Sequence, residues 1–421
     1  MSLPSQIKDP SLAPQGLNNL ALAEEKMGAL MKVRERFAKE RPFEGLRIGL
    51  ALHITKETGV LVRTLKDGGA KVAITGCNPL STQDDVAAAL AQEDNVLVYG
   101  HKGESLEDYD RFLEAVLAFR PNVIIDDGCD LITALVTKHR DLLPEVIGGC
   151  EETTTGIHRL RAMEKDGALP FPMIAVNDNL TKHLMDNVYG TGQSTLDGIL
   201  RATNVMLAGK TLVVAGYGSC GKGVAMRARG MGARVLVTEV NPFKALQAHM
   251  DGYQVLPMEA AATLGDVFVT VTGNVHVITL EHLRSMKSGA IVCNSGHFDV
   301  EIDVNALSLA ATKIEDVRPS MQRFTLTTAH GKTHHVYILG EGRLVNLAAA
   351  EGHPSEVMSL SFCGQALACE YLIQNQKELQ AGVHTLPEAL DMEIAQLYLT
   401  AEGLKIDSLR PDQLAYLQGW Q

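Results

Sequence analysis

The first part of the chain alternates short apolar runs with amphipathic segments, and this alternation is typical of a parallel sheet flanked by helices. The segments that predict helices lie at 20–40 (LALAEEKMGALMKVRERFAKE), at about 56–68, and from about 81 (STQDDVAAALA). The apolar runs that predict strands lie at 46–52 (LRIGLAL), 71–76 (KVAITG), 95–100 (NVLVYG) and 122–127 (NVIIDD). These elements predict a first α/β lobe.

A second series of apolar runs follows a predicted helix at 199–210 (ILRATNVMLAGK). Its predicted strands are 211–216 (TLVVAG), 233–239 (ARVLVTE), 266–273 (DVFVTVTG), 289–294 (GAIVCN), 334–339 (HHVYIL) and 342–348 (GRLVNLA). Beyond these the chain becomes helical (SEVMSLSFCGQALACEYLIQN) and ends in a short polar tail.

Two such series predict an α/β protein with two Rossmann-like, doubly wound parallel-sheet domains, separated by a cleft and joined by a hinge. The helical block from about 353 has no sheet of its own, so we expect it to pack on the first lobe. The expected division is 1–185 with 353–395 for a substrate-binding domain, 186–352 for a dinucleotide-binding domain, and 396–421 for a C-terminal tail.

The stretch VVAGYGSCGKG contains a glycine fingerprint formed by Gly216, Gly218 and Gly221. It directly follows a predicted strand and opens a predicted helix, which is the setting of a dinucleotide-binding turn. The next strand ends in Glu239, whose carboxylate can bond both ribose hydroxyls and repels a 2′-phosphate, so NAD is expected rather than NADP. Lys244 lies close enough to reach the same ribose. The alternative is a glycine turn with a purely structural role.

Polar groups follow many of the predicted strands, where ligands of parallel sheets bind. A single such residue is often only a cap or a turn residue. Here they recur at several strand ends in both lobes: His53, Cys77, Asn78, Asp127, Glu151, Glu152, Thr153, Thr154, Thr155, Asn294, His297 and, near the hinge, His353. Lys182 and Asp186 are four residues apart and share a face of a helix. They form either a solvated ion pair or a site in which a lysine of lowered pKa acts as a base.

Composition restricts the class of protein. The 421 residues are 46% hydrophobic and 21% charged, with a formal net charge of −12 and no clustered basic surface, so neither nucleic acid nor an anionic membrane is expected as a partner. No apolar run reaches the length of a membrane span, and the N-terminus lacks the pattern of a signal peptide. Seven cysteines without CxxC spacing indicate a reduced, cytoplasmic setting without a metal site.

Eight segments, in order along nearly the whole chain, closely resemble the S-adenosylhomocysteine hydrolase family. They are HITKET (53–58), CNPLSTQDD (77–85), DDGCD (126–130), EETTTG (151–156), NDNLTKHLMDNVYG (177–190), GYGSCGKG (216–223), CNSGHFDVEID (293–303) and EGRLVNLAAAEGHPSEVMS (341–359). The resemblance implies a homotetramer that hydrolyses S-adenosylhomocysteine reversibly to adenosine and homocysteine. It also implies that bound NAD oxidises the 3′-carbon of the substrate ribose. The 4′ proton then becomes acidic, the thiol leaves, water adds, and the hydride returns.

Residue roles are implied by matching positions in these motifs. Lys182, Asp186 and Glu152 would bind the 2′ and 3′ hydroxyls and manage the 3′ proton, whereas Asp127 and His53 would handle the 4′ proton and the 5′ leaving group. His297 would lie near the sulfur or the attacking water. Thr55, Glu57 and Met358 would form the adenosine pocket, with His353 at a mobile gate. Implied NAD contacts are Thr153, Thr154, Thr155, Asn187, Gly216, Gly218, Gly221, Lys222, Gly223, Glu239, Thr272, Gly273, Asn294, Ser295, Gly296, His297 and Asn346.

The chain departs from the family pattern at three places. Ser219-Cys220 stands where many members have Asp-Val, Thr191 stands where animal enzymes have cysteine, and the chain stops at YLQGWQ. Many members continue with a tail that reaches the NAD site of a neighbouring subunit. We therefore expect weaker NAD retention than in long-tailed relatives.

Three other functions are compatible with parts of the pattern. A hydrolase of S-inosylhomocysteine would need to accept hypoxanthine, but a carboxylate such as Glu57 favours the amino group of adenine. A catalytically silent regulatory NAD-binding homologue would be expected to lack some of the acid–base residues found here. A 2-hydroxy-acid dehydrogenase shares the two-lobe layout but gives no reason for EETTTG or for the pair Lys182 and Asp186.

Overall fold

The computed structural model of the protein describes residues 3–327 and 333–420. Its strands are β1 (Arg47–Ala51), β2 (Lys71–Thr75), β3 (Val96–Tyr99), β4 (Val123–Asp126), β5 (Gly148–Glu151), β6 (Pro172–Ala175), β7 (Thr211–Ala215), β8 (Arg234–Thr238), β9 (Gln254–Val255), β10 (Val267–Thr270), β11 (Ala290–Asn294), β12 (Lys313–Arg318), β13 (Met321–Thr327), β14 (Thr333–Leu339) and β15 (Gly382–His384).

The α-helices complete the two series. They are α1 (Ala13–Lys26), α2 (Gly28–Glu40), α3 (Lys56–Asp67), α4 (Asp84–Leu90), α5 (Leu106–Ala118), α6 (Asp130–Lys138), α7 (Thr154–Lys165), α8 (Thr191–Thr203), α9 (Ser219–Gly230), α10 (Pro242–Met250), α11 (Met258–Leu264), α12 (Leu280–Ser285), α13 (Val304–Ala310), α14 (Val345–Ala348), α15 (Ser355–Gln374), α16 (Glu388–Ala401) and α17 (Pro411–Gln418). A π-helix, Thr181–Gly190, leads directly into α8.

Two sheets confirm the predicted fold class. The first has the order β15-β6-β5-β4-β1-β2-β3, and all its pairings are parallel. The second has the order β12-β13-β14-β11-β10-β7-β8-β9, in which the pairs β12–β13 and β13–β14 are antiparallel and the others parallel. Strand order reverses between β1 and β4 in one sheet and between β7 and β10 in the other, and such reversals open a crevice for ligands.

The long helix α15 packs on the first sheet. Its buried residues Leu367, Cys369 and Leu372 belong to the same apolar core as Leu30 of α2 and Ile174 of β6. Strand β15 then joins the edge of that sheet beside β6. The part of the chain that follows the second lobe, with α15 and β15, therefore belongs to the first lobe.

Several predicted elements differ from the structure. The segment 342–348 is not a strand: Leu344 makes one bridge to Asn294, and α14 begins at the next residue. A short apolar run has no periodicity to separate the two, so only tertiary packing decides. The helix predicted at 199–210 ends at Thr203, because Asn204 takes a left-handed conformation with φ 56°.

Other elements were absent from the prediction. Strands β5 (GGCE) and β6 (PMIA) are four residues each and carry glycine or proline, which weaken a strand pattern. The predicted C-terminal tail, 396–421, contains the end of α16 from residue 396 and the whole of α17. Within residues 3–327 and 333–420, no helix is both long and apolar enough to cross a membrane.

Candidate active site

A cavity of about 800 Å³, including its opening to solvent, lies between the two lobes. Its walls come from the carboxyl ends of the first sheet, the π-helix, the second lobe and α15. The lining residues are Leu52, His53, Thr55, Glu57, Thr58, Asp127, Glu152, Thr153, Lys182, Asp186, Asn187, Thr191, Cys220, Ser295, His297, Leu344, Asn346, Leu347, His353, Met358 and Phe362.

One cluster in this cavity joins His53, Asp127 and His297. His53 follows β1 and Asp127 follows β4, so the strand-order reversal places them side by side, with His53 Nε2 3.4 Å from Asp127 Oδ2. His297 comes from the second lobe, and its Nδ1 lies 3.4 Å from Asp127 Oδ1. A Cβ at residue 128 would lie 2.1 Å from His297 Nε2, so Gly128 is needed for this crossing between lobes.

Burial controls the protonation of this cluster. It lowers the pKa of His53 to about 4, although the carboxylate of Asp127 acts in the opposite direction. His53 is therefore a neutral imidazole at pH 7, able to accept a proton. Its Nδ1 contacts Ser81 Oγ at 2.8 Å and Cys77 Sγ at 3.3 Å. Burial also raises the pKa of the Cys77 thiol well above its ordinary value, so this thiol is protonated.

A second cluster surrounds the ammonium group of Lys182. Its Nζ lies 3.0 Å from Asp186 Oδ2, 3.4 Å from Glu152 Oε1 and 2.7 Å from Asn187 Oδ1. Lys182 is only 6% exposed, and a charge so buried requires such partners. The sequence predicts one of these partners of Lys182, namely Asp186 at position i+4. The π-helix, whose hydrogen bonds run from i to i+5, also brings the residue at i+5 onto the same face.

Neither alternative for Lys182 and Asp186 matches the structure, because the ion pair is buried rather than solvated and the pKa of Lys182 is raised rather than lowered. Burial by itself would lower it, but Asp186 and Glu152 outweigh burial and raise the pKa above its ordinary value. The lysine is therefore an ammonium ion. Glu152 behaves differently: burial raises its pKa to about 7, against the opposing effect of Lys182. The group poised to exchange a proton near neutrality is Glu152.

Asp186 connects this cluster to α15 and to the hinge. Ser361 Oγ donates to Asp186 Oδ2 at 2.5 Å, and His353 Nδ1 bonds Asp186 Oδ1. Burial favours a neutral carboxyl, but Lys182 and His353 more than compensate and keep the pKa of Asp186 well below its ordinary value. His353 Nε2 lies 3.3 Å from Thr191 Oγ1, so the imidazole links the carboxylate to the start of α8.

Another part of the same cavity is formed around Glu57. This buried carboxylate accepts a hydrogen bond from Ser355 Oγ at 2.6 Å and lies 3.3 Å from Lys56 Nζ. Met358 and Phe362, one turn apart on α15, provide apolar surface nearby in the cavity. This part of the cavity therefore combines an acceptor with apolar side chains, which suits a heteroaromatic base that carries a donor.

The glycine turn lies at the second strand-order reversal. Gly216 has φ +104°, and a Cβ on Gly221 would lie 2.0 Å from Gly216 O, so neither position accepts a side chain without distortion. A Cβ on Gly218 would meet only Lys244 Nζ, at 3.8 Å, which leaves an open cradle above the turn. Glu239 accepts hydrogen bonds from the N–H groups of Tyr217, Val240 and Asn241, so its carboxylate is fixed beside this cradle.

These residues fit a nicotinamide dinucleotide. The cradle at Gly218 and the carboxylate of Glu239 suit a pyrophosphate and a ribose diol. At the cavity, Asn346 Nδ2 donates to Ser194, while its buried Oδ1 has no hydrogen-bond partner among the described residues. An unpaired buried acceptor facing the cavity is suited to a ligand that carries an N–H donor, such as a carboxamide.

The predicted residues divide into two groups. All the predicted catalytic and substrate-binding residues line the cavity, together with Thr153, Asn187, Ser295, His297 and Asn346 from the cofactor set. The other predicted cofactor residues do not line it in the part of the chain described: Thr154, Thr155, Gly216, Gly218, Gly221, Lys222, Gly223, Glu239, Thr272, Gly273, Asn294 and Gly296.

Asn294 is occupied by its own loop. Its Oδ1 accepts from Thr270 Oγ1 and Gly296 N, and its Nδ2 donates to the carbonyls of Gly296 and Phe298. All four capacities of the amide are used, so this residue shapes the loop that carries His297. Thr272 and Gly273 are similarly fixed, because both donate to the buried carboxylate of Glu301.

Sequence reasoning missed several groups that support the site. Gln365 Nε2 donates to Glu152 Oε2 at 2.5 Å. Ser361 donates to the carboxylate of Asp186, and Ser355 donates to that of Glu57. The available signal was the polar side chains within the otherwise apolar α15. Cys220 and Thr191 were noticed only as departures from a family pattern, yet both line the cavity, with Thr191 Oγ1 donating to Cys220 Sγ at 3.5 Å.

Among the residues that the structure describes, two side-chain groups have ligand atoms close enough to share a metal ion: His53 with Asp127 and His297, and Asp126 with Cys129 and Glu151. The first is the acid–base cluster described above. The second is buried below it, where burial raises the pKa of Asp126 to about 7. The absence of a metal remains a prediction from the sequence.

Comparison with known proteins agrees with this geometry. The family model "S-adenosyl-L-homocysteine hydrolase" matches residues 4–141, and "S-adenosyl-L-homocysteine hydrolase, NAD binding domain" matches residues 187–352. The chain is 54% identical over 418 residues to an adenosylhomocysteinase of Nostoc sp., covering 99% of this chain and 97% of that one. It is 55% identical over 415 residues to an adenosylhomocysteinase of Aquifex aeolicus, covering 99% and 98%. It is also 54% identical over 416 residues to an S-inosyl-L-homocysteine hydrolase of Methanocaldococcus jannaschii, covering 99% of both chains.

The charge balance around Lys182 generates a stability prediction. Replacing Asp186 by asparagine leaves a buried ammonium with less compensation, so the free energy of unfolding at pH 7 should fall by about 3 kcal/mol. Since the pKa of Asp186 is lowered in the fold, its contribution is complete above the ordinary value of 3.8 and declines as the pH falls further. Urea denaturation followed by circular dichroism measures the change.

The matched control is Asp197→Asn, which breaks a solvent-exposed pair with Arg201. It should cost less than about 1 kcal/mol. Equal losses in the two variants would show that the pair at Lys182 does not have the buried-charge energetics assigned to it.

Proposed function

This chain belongs to the S-adenosyl-L-homocysteine hydrolase family, and from that membership we propose how its residues carry out the family's reaction. The reaction is the reversible hydrolysis of S-adenosyl-L-homocysteine to adenosine and L-homocysteine, with NAD as cofactor. The observation that carries the residue assignment is the buried group of Lys182, Asp186 and Glu152 opposite the cluster of His53, Asp127 and His297, all in one cavity.

When bound, NAD supplies reversible removal of a hydride from the ribose of the substrate. The residues assigned to hold it are the glycine turn, Glu239, Asn187 and Asn346. The carboxylate of Glu239 is fixed by three backbone N–H groups and still has lone pairs for ribose hydroxyls. Since a 2′-phosphate would meet this fixed negative charge, NAD is favoured over its phosphorylated form.

The cluster around Lys182 is assigned to the ribose hydroxyls and the 3′ proton. Glu152, with its pKa near 7, accepts the proton of the 3′ hydroxyl, and the ammonium of Lys182 stabilises negative charge that develops on that oxygen. Asp186 holds the ammonium in place through its 3.0 Å contact. Gln365 fixes the second oxygen of Glu152, which leaves the first oxygen for the reaction.

The opposite cluster is assigned to the 4′ proton and the 5′ substituent. Asp127 and the neutral imidazole of His53 are the available proton acceptors. The proton taken from C4′ can then pass to the thiolate as the bond from C5′ to sulfur breaks. When water adds, its hydroxyl bonds to C5′ and its other hydrogen replaces the proton on C4′. His297 Nε2 is buried and unpartnered within the described part of the chain, so it can orient the attacking water or the sulfur.

Exclusion of bulk water depends on the contacts between lobes. His297 reaches from the second lobe to Asp127, and His353 at the hinge joins Asp186 to Thr191. These contacts bring the lobes together around the reacting atoms, and a closed site protects an electrophilic intermediate from side reactions.

Each lobe is assigned to the ligand that its residues are assigned to bind. Residues 1–185 with 353–395 form the substrate-binding domain, residues 186–352 the NAD-binding domain, and residues 396–421 a C-terminal tail. The first boundary lies within the π-helix and the last within α16. A homotetramer in the cytoplasm is the expected state.

Thiol release tests the catalytic assignment. Replacing Lys182 by alanine removes the charge that stabilises the ribose oxygen, so release of homocysteine from S-adenosylhomocysteine should fall by about 10²–10⁴-fold. A thiol-reactive dye measures the rate. The control is Lys287→Ala, a surface lysine paired with Asp266, which should retain full turnover. Comparable turnover in wild type and Lys182→Ala would remove Lys182 from the mechanism.

The pH dependence tests the role of Glu152. Because its carboxylate form accepts the proton, kcat/KM for hydrolysis should rise with pH through about 7 and then level off. This limb should be absent in Glu152→Gln. Burial also raises the pKa of Glu104 to about 7, outside the cavity, so Glu104→Gln is the matched control and should keep the limb. If Glu104→Gln lost this rise of kcat/KM with pH and Glu152→Gln kept it, the titrating group would be Glu104, and the role assigned to Glu152 would be wrong.

A second candidate function is hydrolysis of S-inosyl-L-homocysteine, because the relative from Methanocaldococcus jannaschii bears that name. The two bases differ at C6, where adenine offers N–H donors and hypoxanthine a carbonyl acceptor. Glu57 presents a buried carboxylate and therefore favours adenine.

Competition between the two nucleosides decides between the candidates. With homocysteine in the synthetic direction, adenosine should be used at least about tenfold more efficiently than inosine, and Glu57→Gln should narrow the ratio, because an amide also offers a donor. A wild-type preference for inosine would establish the second candidate.

A further inference from the structure

One side-chain pair beside the glycine turn has no place in the mechanism above. His183 follows Lys182 on the π-helix, and its Nε2 lies 3.1 Å from Oγ of Ser219, the first residue of α9. The imidazole Nδ1 is buried and has no hydrogen-bond partner within residues 3–327 and 333–420. The pair therefore spans the junction between the first lobe and the dinucleotide turn.

Close packing of backbones brings the pair together. A Cβ on Gly223 of α9 would lie 1.9 Å from Val188 O of the π-helix, and a Cβ on Gly192 would lie 2.6 Å from the backbone of Gly223. The two helices therefore touch main chain to main chain. At this separation the imidazole of His183 reaches the N-terminus of α9 with its side chain alone.

The pair of His183 and Ser219 has one donor hydrogen that their mutual contact does not use. Burial, followed by the neighbouring lysines, lowers the pKa of His183 despite the opposing effect of Asp178, so the ring is neutral with one N–H. Ser219 contributes one O–H. With the ring hydrogen on Nε2, His183 donates to Ser219 Oγ, and the hydroxyl hydrogen of Ser219 remains available to an acceptor.

The surroundings favour an anion. The charged groups with the largest effect on the pKa of His183 are Asp178, which raises it, and Lys182, Lys222 and Lys244, which lower it. Lys244 Nζ lies over the open cradle at Gly218, one residue before Ser219. The free N–H groups at the start of α9, a helix of 12 residues, point to the same place.

We propose that the hydroxyl of Ser219 donates a hydrogen bond to the pyrophosphate of NAD and that His183 of the first lobe orients this hydroxyl. This proposal rests on the proposed function, in which the turn holds NAD. Its consequence is a direct link between cofactor and chemistry, since adjacent residues of one π-helix orient the pyrophosphate contact and bind the ribose hydroxyls of the substrate. A rigid element shared in this way sets the distance between the two ligands.

Release of bound ligand from the full-length protein tests the contact. Protein loaded with radiolabelled NAD⁺, or separately with radiolabelled ADP-ribose, is diluted into excess unlabelled ligand, and retained label is counted on filters. Ser219→Ala should accelerate release of both ligands by about tenfold, because it loses a hydrogen bond to a charged group. His183→Gln should accelerate release of both ligands in the same direction, because the imidazole no longer orients the hydroxyl of Ser219. The double variant should show less than the product of the two effects, since the partners act as a pair.

ADP-ribose makes the test specific, because it carries the pyrophosphate but lacks nicotinamide. Acceleration for NAD⁺ alone would place the contact at the nicotinamide half and overturn the proposal, as would unchanged release of both ligands. His384→Gln, a histidine bonded to Gln380 O on the edge strand of the first sheet, is the control and should leave release unchanged. If His183→Gln does not fold, as judged by its melting temperature, Ser219→Ala decides alone.

The same experiment separates this proposal from the function on which it rests. Wild-type protein that retains neither ligand would contradict the proposed NAD site itself. Wild-type protein that retains both, with variants that retain them equally well, would contradict only the pyrophosphate contact.

Discussion

A single buried ammonium group sets the constraints on this structure. Lys182 is almost fully buried between the lobes, and its charge is tolerable only because two carboxylates and an amide converge on it. Each carboxylate is in turn held by α15, through Gln365 and Ser361. The chain that follows the second lobe therefore returns to the first to complete the surroundings of one lysine. Removing one partner would leave the buried ammonium with less compensation, so fold and site depend on the same contacts.

Close contacts at glycines allow the two lobes to act on the same substrate. Gly128 lets His297 of the second lobe reach Asp127, and Gly223 lets α9 lie directly on the π-helix. Both positions exclude even a methyl group. The reacting groups are then positioned by secondary-structure elements in contact, rather than by long loops. This arrangement is consistent with chemistry in which hydride and proton transfers must occur at neighbouring carbons of one ribose.

Sequence reasoning predicted the parts that depend on local pattern. The apolar runs at β1, β2, β7 and β8 and the glycine turn have periodicity and context, and the structure confirms them. The sequence predicts a strand at 342–348, where the structure has α14, because a short apolar run does not distinguish a strand from a helix. The π-helix carries no separate sequence signal, so Asn187 was not expected beside the Lys182 ammonium. The raised pKa of Lys182 depends on Glu152, distant in the sequence, and only the fold brings these groups together.

The central claim is that the dinucleotide serves a hydrolysis and ends each cycle as it began. Absorbance at 340 nm, recorded together with thiol release after the protein is mixed with S-adenosylhomocysteine, tests this claim directly. We predict that any rise in absorbance is transient, while free thiol and adenosine accumulate in equal amounts over many turnovers. A lasting increase at 340 nm that matches the substrate consumed, without free thiol, would identify a dehydrogenase and contradict the account.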